Sequence, residues 1–283
     1  MSSYRFCRTD DIGLLVDALN RCWSPYFPGE PAMTPAVFKR SIRELQVWCS
    51  SCMVAFSGSD PIGVLIGAKR DSCTLIHRIA VHPDHRRQGH GRHLLDSLGS
   101  KLAILGPPRI VAEVPETLTE ASGLFDAGGY VQETILTDYV WQGEDMESDA
   151  DGLDGTFAIP LTVDDLAANG LLGRDLPRTC WERSVETLTA RRGEISGLAV
   201  ASEERIEAYV LYVADGEIVS LGTLVEDHGA RLKRLLSRVA AAGTRTFRIP
   251  KVHPAEISAE MLDTLALRPA ARYRLYEATA RPQ

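Results

Sequence analysis

Six residues in the first half of the chain, Arg86-Arg87-Gln88-Gly89-His90-Gly91, have the types and spacing to hold an anion. Their pattern, R-x-x-G-x-G, lies in the run LIHRIAVHPDHRRQGHGRHLL over residues 75–95. That run reads as a short apolar strand, a polar turn and the start of an amphipathic helix. A helix N-terminus leaves its first N–H groups unpaired and carries a partial positive charge, so it attracts phosphate. Gly89 and Gly91 lack a Cβ, which lets the backbone curve round an anion and approach it closely. Arg86, Arg87 and Arg92 surround the turn with positive charge. The chemistry expected here is the binding of a pyrophosphate.

The elements that position this turn follow from periodicity and breakers. A strand is expected over 4–8 and a helix over 11–23, capped by Asp10, with Leu14, Leu15, Ala18, Leu19 and Cys22 on one face. Residues 24–33 hold Pro25, Pro28 and Pro31 with Tyr26, Phe27 and Gly29, which makes them an irregular loop. Thr34 caps a second helix through 48, with Phe38, Ile42, Leu45 and Trp48 as its apolar stripe. Strands over 52–57, 62–68 and 74–81, joined by short turns, form an antiparallel meander. A helix over 89–105 places Leu94, Leu95, Leu98, Leu102 and Leu105 on one side, and Gly106-Pro107-Pro108 stops it. A strand over 109–114, a short helix from 119 to Gly128-Gly129 and one or two strands over 130–142 complete the half.

Residues 143–155, GEDMESDADGLDG, carry six acidic residues and no basic one. Such a segment cannot bury a core. It reads as an acidic linker at 144–155 between domains over 1–143 and 156–283. The second half repeats the element order: a strand at 156–159, a short helix capped by Thr162, and a helix near 179–191. Strands follow at 195–201, 205–213 and 217–225, then a helix at 230–242, a strand at 244–249, a helix at 256–265 and a strand at 271–278. The repeat indicates an internal duplication in which Leu235-Leu236 match Leu94-Leu95. Where the first half has its glycine turn, the second has Glu226-Asp227-His228-Gly229-Ala230. That turn is acidic, has one glycine and would repel phosphate.

At 283 residues the chain is long for a single core. A formal charge of −7 argues against a general nucleic-acid surface, which needs clustered excess Lys and Arg. No apolar run is long enough to span a membrane, and the N-terminus lacks the blocks of a signal peptide, so a cytoplasmic, reducing location is expected. The six cysteines therefore read as free thiols. Cys49-Ser50-Ser51-Cys52 follows a helix instead of opening one, so its C-x-x-C spacing reads as structural.

The strand order and the A-V-x-P-x-x-R-x-x-G-x-G run from Ala80 to Gly91 resemble the GCN5-related N-acetyltransferases (GNAT) over residues 4–142. The second half looks like a degenerate copy, and the tandem layout resembles mycothiol synthase and its relatives. The resemblance implies a mixed α+β fold: two tandem domains, each a mostly antiparallel central sheet flanked by helices. It implies acetyl-CoA as cofactor, with the backbone of Ile79, Ala80 and Val81 at a splayed strand end holding the pantetheine arm. The N–H groups of Arg87, Gln88, Gly89, His90, Gly91 and Arg92 would hold the pyrophosphate, with Arg86 beside them in the cofactor site. The loop at 24–33 would line the acceptor side.

Acetyl transfer to an amine needs two proton events. An alkylammonium of pKa about 10.4 is neutral about once in 2,500 molecules at pH 7, a penalty of about 4.6 kcal/mol, so a base must take its proton. His77 resembles in place a histidine of arylalkylamine N-acetyltransferase and, from the strand alternation, should face the same way as Ile79 and Val81. Glu113 is the other candidate base. Many members of the family carry a tyrosine as general acid four residues before a Gly-aromatic pair; here that position is Phe125, before Gly129-Tyr130, which leaves water, Tyr130 or Tyr139 as the source of the proton. The expected activity is N-acyl transfer from acetyl-CoA to a small-molecule amine by direct attack in a ternary complex. The alternative is a non-catalytic acyl-CoA sensor. Neither needs nucleic acid or membrane, and a second copy of the chain, as a homodimer, is the protein partner left open.

Overall fold

In the computed structural model of the chain, residues 2–142, 157–172, 179–241 and 246–281 are described. Two compact units emerge, one of Met1–Thr134 with Arg274–Gln283 and one of Ile135–Tyr273. The acidic segment expected as a linker lies outside the described residues.

The first unit runs β1 (Ser2–Phe6), α1 (Ile12–Cys22), α2 (Pro35–Leu45), β2 (Met53–Ser57), β3 (Asp60–Lys69), β4 (Cys73–Val81), α3 (His90–Leu105), β5 (Arg109–Pro115) and α4 (Thr119–Ala127). β1 to β4 pair antiparallel in sequence order. Residues 61–68 of β3 are all buried, because α1 and α3 both pack on that strand. Leu94, Leu95, Leu98 and Leu102 of α3 meet Leu65, Ile76 and Phe125 in one apolar cluster. β5 then joins β4 in parallel, and the end of β12 (Arg268–Thr279) lies beside β5.

The second unit takes up the chain within β6 (Val131–Gln142) and continues through β7 (Phe157–Leu161), α5 (Val163–Ala168), α6 (Val185–Ala190), β8 (Ile195–Ala201), β9 (Ile206–Val213) and β10 (Ile218–Thr223). It ends with α7 (Ala230–Ala241), β11 (Thr246–Val252) and α8 (Ala259–Thr264). β10-β9-β8-β7 form an antiparallel sheet, and β11 pairs antiparallel with β6. Leu235 and Leu236 of α7 are buried in this unit's cluster as Leu94 and Leu95 are in the first. The architecture is the expected one: mixed α+β, with two mostly antiparallel sheets flanked by helices.

Local details differ from the periodicity. Asp11, not Asp10, stands at the α1 N-terminus, and its carboxylate accepts from the Arg8 amide and the Arg5 guanidinium instead of capping the helix. Thr34 caps α2 as expected, accepting from the Val37 amide. That helix stops at Leu45, where Gln46 turns left-handed, so Trp48 leaves the apolar stripe and is exposed. Leu105 also ends up exposed, beyond the last turn of α3 that reaches the sheet. All six cysteines are free and buried. Among the described residues, no helix is long and apolar enough to cross a membrane.

Candidate active site

β4 and β5 are parallel only from Cys73↔Arg109 to Leu75↔Val111. Beyond that register β4 runs on to Val81 and β5 to Pro115 without pairing to each other. Backbone groups at the end of β4 are thereby left without a sheet partner on that side, and such groups need one. A cleft of about 590 Å³ opens at this point. Its walls include Ile79, Ala80 and Val81 of β4, the turn into α3, the face of α4 from Leu118 to Ala127, and the aromatic residues Trp23, Tyr26 and Phe27.

The turn has the shape an anion site requires. Gly89 is left-handed at φ 86°, and Arg87 is also left-handed at φ 60°, a conformation unfavourable for a residue with a Cβ. A Cβ on Gly89 would meet nothing within 4 Å, so that glycine serves conformation and leaves open space beside it. A Cβ on Gly91 would meet Leu124 at 3.1 Å, so that glycine serves the packing of α3 against α4. The first bond of α3 runs from the His93 amide to the Gly89 carbonyl at 3.0 Å. Among the described residues, the N–H groups from Arg87 to Arg92 find no hydrogen-bond acceptor. Arg86 reaches the edge of the cleft, 3.3 Å from the Glu120 carboxylate.

His90 is buried, with its Nδ1 2.6 Å from the Tyr4 hydroxyl and its Nε2 unpartnered. Burial and, behind it, the charges of His85 and His93 hold its pKa below the ordinary imidazole value. An orphaned ring nitrogen, open amides and a strand end with no strand paired on its β5 side together suit a cofactor with an extended amide arm and a pyrophosphate.

Of the residues expected from the sequence, Ile79, Ala80, Val81, Arg86, Arg87, Gly89, His90, Gly91 and Arg92 all line this one cleft; Gln88 does not. His77 corrects the alternation expected for β4. Arg78 pairs with Ile66 and Ile76 with Gly67, so His77 is the extra residue of a bulge. The bulge resets the pleat: Ile76 and Ile79, three apart, join the same cluster, so simple alternation does not carry through His77. His77 and Glu113 are half-buried, and neither lines the cleft. Phe125 is buried, edge-on to Tyr130 and stacked on Tyr276. Burial also pushes the Tyr130 hydroxyl far above its ordinary range. Tyr139 belongs to the second unit.

The aromatic wall carries more detail than the sequence signalled. Trp23 and Phe27 stack with centroids 4.4 Å apart, Trp23 Nε1 donates to Glu30 at 3.0 Å, and Arg78 lies 4.8 Å over the Trp23 ring. Asn20 closes the loop by bonding both the amide and the carbonyl of Met33. Tyr26 turns inward and its hydroxyl donates to the Val81 carbonyl at 2.6 Å. His85 also lines the cleft, and only its closeness to the glycine turn could have marked it in advance.

Residues 15–128 match the acetyltransferase (GNAT) family. The fold is similar to that of a tandem GNAT protein from the clavulanic acid biosynthesis pathway, at 17% identity and a TM-score of 0.67, with all of both chains covered. It is similar also to a GCN5-related N-acetyltransferase from Sphaerobacter thermophilus, at 14% identity and a TM-score of 0.69, covering 99% of this chain and 96% of that one. A GCN5-related N-acetyltransferase from Anabaena variabilis gives 12% identity and a TM-score of 0.67, covering 99% of this chain and 73% of that one.

Proposed function

We propose that this chain, whose residues 15–128 match the acetyltransferase (GNAT) family, moves acetyl from acetyl-CoA to the amine of a small molecule. One observation carries the reading: the end of β4, which has no strand paired on its β5 side, and the unpaired amides of the α3 N-terminus border the same cleft. The pyrophosphate of the acyl donor would rest on the amides from Arg87 to Arg92, with Arg86 and Arg92 adding charge. The pantetheine arm would take the backbone positions from Ile79 to Val81. The acyl donor supplies a thioester carbonyl, and the amine attacks it directly, with both substrates present. His77 and Glu113 are the proposed bases; because neither lines the cleft, the ammonium proton would reach them through water.

Titration calorimetry with acetyl-CoA, followed by thiol release with a panel of amines, tests the proposal. It expects one acetyl-CoA per chain and turnover with at least one amine. Absence of acetyl-CoA binding would sink it. Phe125, which has no proton to give, favours a second reading as a non-catalytic acyl-CoA sensor. Binding without thiol release across the panel selects that reading.

A further inference from the structure

Cleavage of a thioester leaves a thiolate that needs a proton, and the phenol facing the cleft is not at position 125. We propose that Tyr26 is the acid that protonates the leaving thiolate, an inference that rests on the acyl-transfer reading. Of the tyrosines in the first unit, Tyr130 and Tyr276 are buried in the core cluster and Tyr4 is engaged with His90. Tyr26 lines the cleft, and its hydroxyl rests 2.6 Å from the Val81 carbonyl at the strand end where the acyl donor's arm would lie. The loop that carries it is braced by the Asn20–Met33 bonds and the Trp23–Phe27 stack, so the phenol is presented by a preorganised segment.

Two features suit the role. Burial raises the Tyr26 hydroxyl above the ordinary phenol range, so it carries its proton at neutral pH. The Arg86 charge opposes that rise from 5.7 Å over the ring and would stabilise the phenolate formed when the proton leaves. The step balances. The amine nitrogen forms the C–N bond, the C–S bond breaks with its electron pair going to sulfur, and the Tyr26 proton moves to that sulfur. The phenolate is refilled by the N–H proton that the nitrogen sheds on becoming an amide. The only net proton released is the one the ammonium gave up before attack.

Tyr26→Phe and Tyr26→His test this, using the most active of 2-phenylethylamine, spermidine and glucosamine as acceptor. Tyr26→Phe should lower kcat by roughly 100-fold, the scale of a lost general acid. Acetyl-CoA affinity by calorimetry should stay within about twofold, since the backbone holds the donor. Tyr26→His should recover part of kcat with a pH optimum displaced downward, because imidazole titrates near pH 6.5. Independently of turnover, the thiol of bound coenzyme A, followed by thiolate absorbance, should titrate lower in the wild type than in Tyr26→Phe, because the phenol donates to the thiolate. Tyr26→Phe with kcat within about threefold of wild type, or an unchanged titration of the bound thiol, overturns the proposal alone. A wild-type chain that binds acetyl-CoA but never releases thiol overturns the acyl-transfer reading and this one with it.

Discussion

α3 and α7 each begin after the last strand of an antiparallel run, and their N-termini carry opposite solutions to the same electrostatic problem. At α3 the amides from Arg87 to Arg92 are open and Gly89 faces empty space. At α7 the protein has filled both with its own atoms. The Asp227 carboxylate accepts from the Gly229 amide at 3.0 Å and the Arg231 amide at 2.9 Å. Arg231 clamps it from the side at 3.0 Å and is itself held by Glu207 at 2.7 Å. A Cβ on Gly229 would meet the Met261 sulfur at 2.7 Å, so the space beside that glycine is packed. The negative charge that a phosphate would bring is built in. A helix N-terminus attracts an anion in either case; whether it is a binding site depends on who supplies that anion.

The largest effects test the open terminus. Gly89→Val forces a β-branched residue into the left-handed region, and Gly91→Leu collides with Leu124. Each is expected to weaken acetyl-CoA binding in calorimetry by roughly 100-fold or more, as amide bonds to a charged group are lost, while a cooperative thermal transition remains. Copying the closed terminus onto the open one comes next. Arg87→Asp places a carboxylate two residues before Gly89, as Asp227 stands before Gly229, and should cost about tenfold more affinity than Arg87→Ala. Equal losses in the two variants would show that the added carboxylate does not reach the amides. The reverse exchange, Asp227→Ala, should leave acetyl-CoA at one per chain, because Met261 still covers Gly229.

Much of this contrast is readable from residue order. The amphipathic periods place α3 and α7, and the basic turn against the acidic one already separates the two helix starts. What the sequence indicated as repulsion of phosphate by Glu226 and Asp227 is, in the structure, occupation: Asp227 is hydrogen-bonded where the phosphate would go. Four features escaped the pattern because they depend on partners distant in sequence. Alternation has no term for the bulge at His77, so it cannot be carried through that residue of β4. A strand's composition does not say where its pairing ends, so the register at which β4 and β5 part was accessible only through a resemblance. An alternating final segment likewise does not name the sheet it joins, and the residues Arg274–Gln283 go with the first unit. Tyr26 sat in a proline-rich loop whose inward turn is set by Asn20 and Met33 as much as by its own neighbours.

The smallest effects fall on the stability of the closed terminus. Asp227→Ala removes a carboxylate cap and should lower the free energy of unfolding by about 1 kcal/mol, read from urea denaturation. Its pH dependence separates charge from shape. Burial alone would raise the Asp227 carboxyl, but the Arg231 amide and guanidinium and the Gly229 amide outweigh it, leaving it below the ordinary carboxylate value. A carboxyl depressed by folding binds its proton more weakly in the folded chain, so it stabilises above its unfolded pKa of about 3.9 and loses that contribution as the pH falls through the folded value. Asp227→Asn keeps the shape without the charge. The wild-type advantage over it should be constant from about pH 5 to 7 and shrink below about pH 4. An advantage that persists unchanged into acid would mean that Asp227 holds α7 through its hydrogen-bond geometry alone, and that its charge is not what closes this helix start to phosphate.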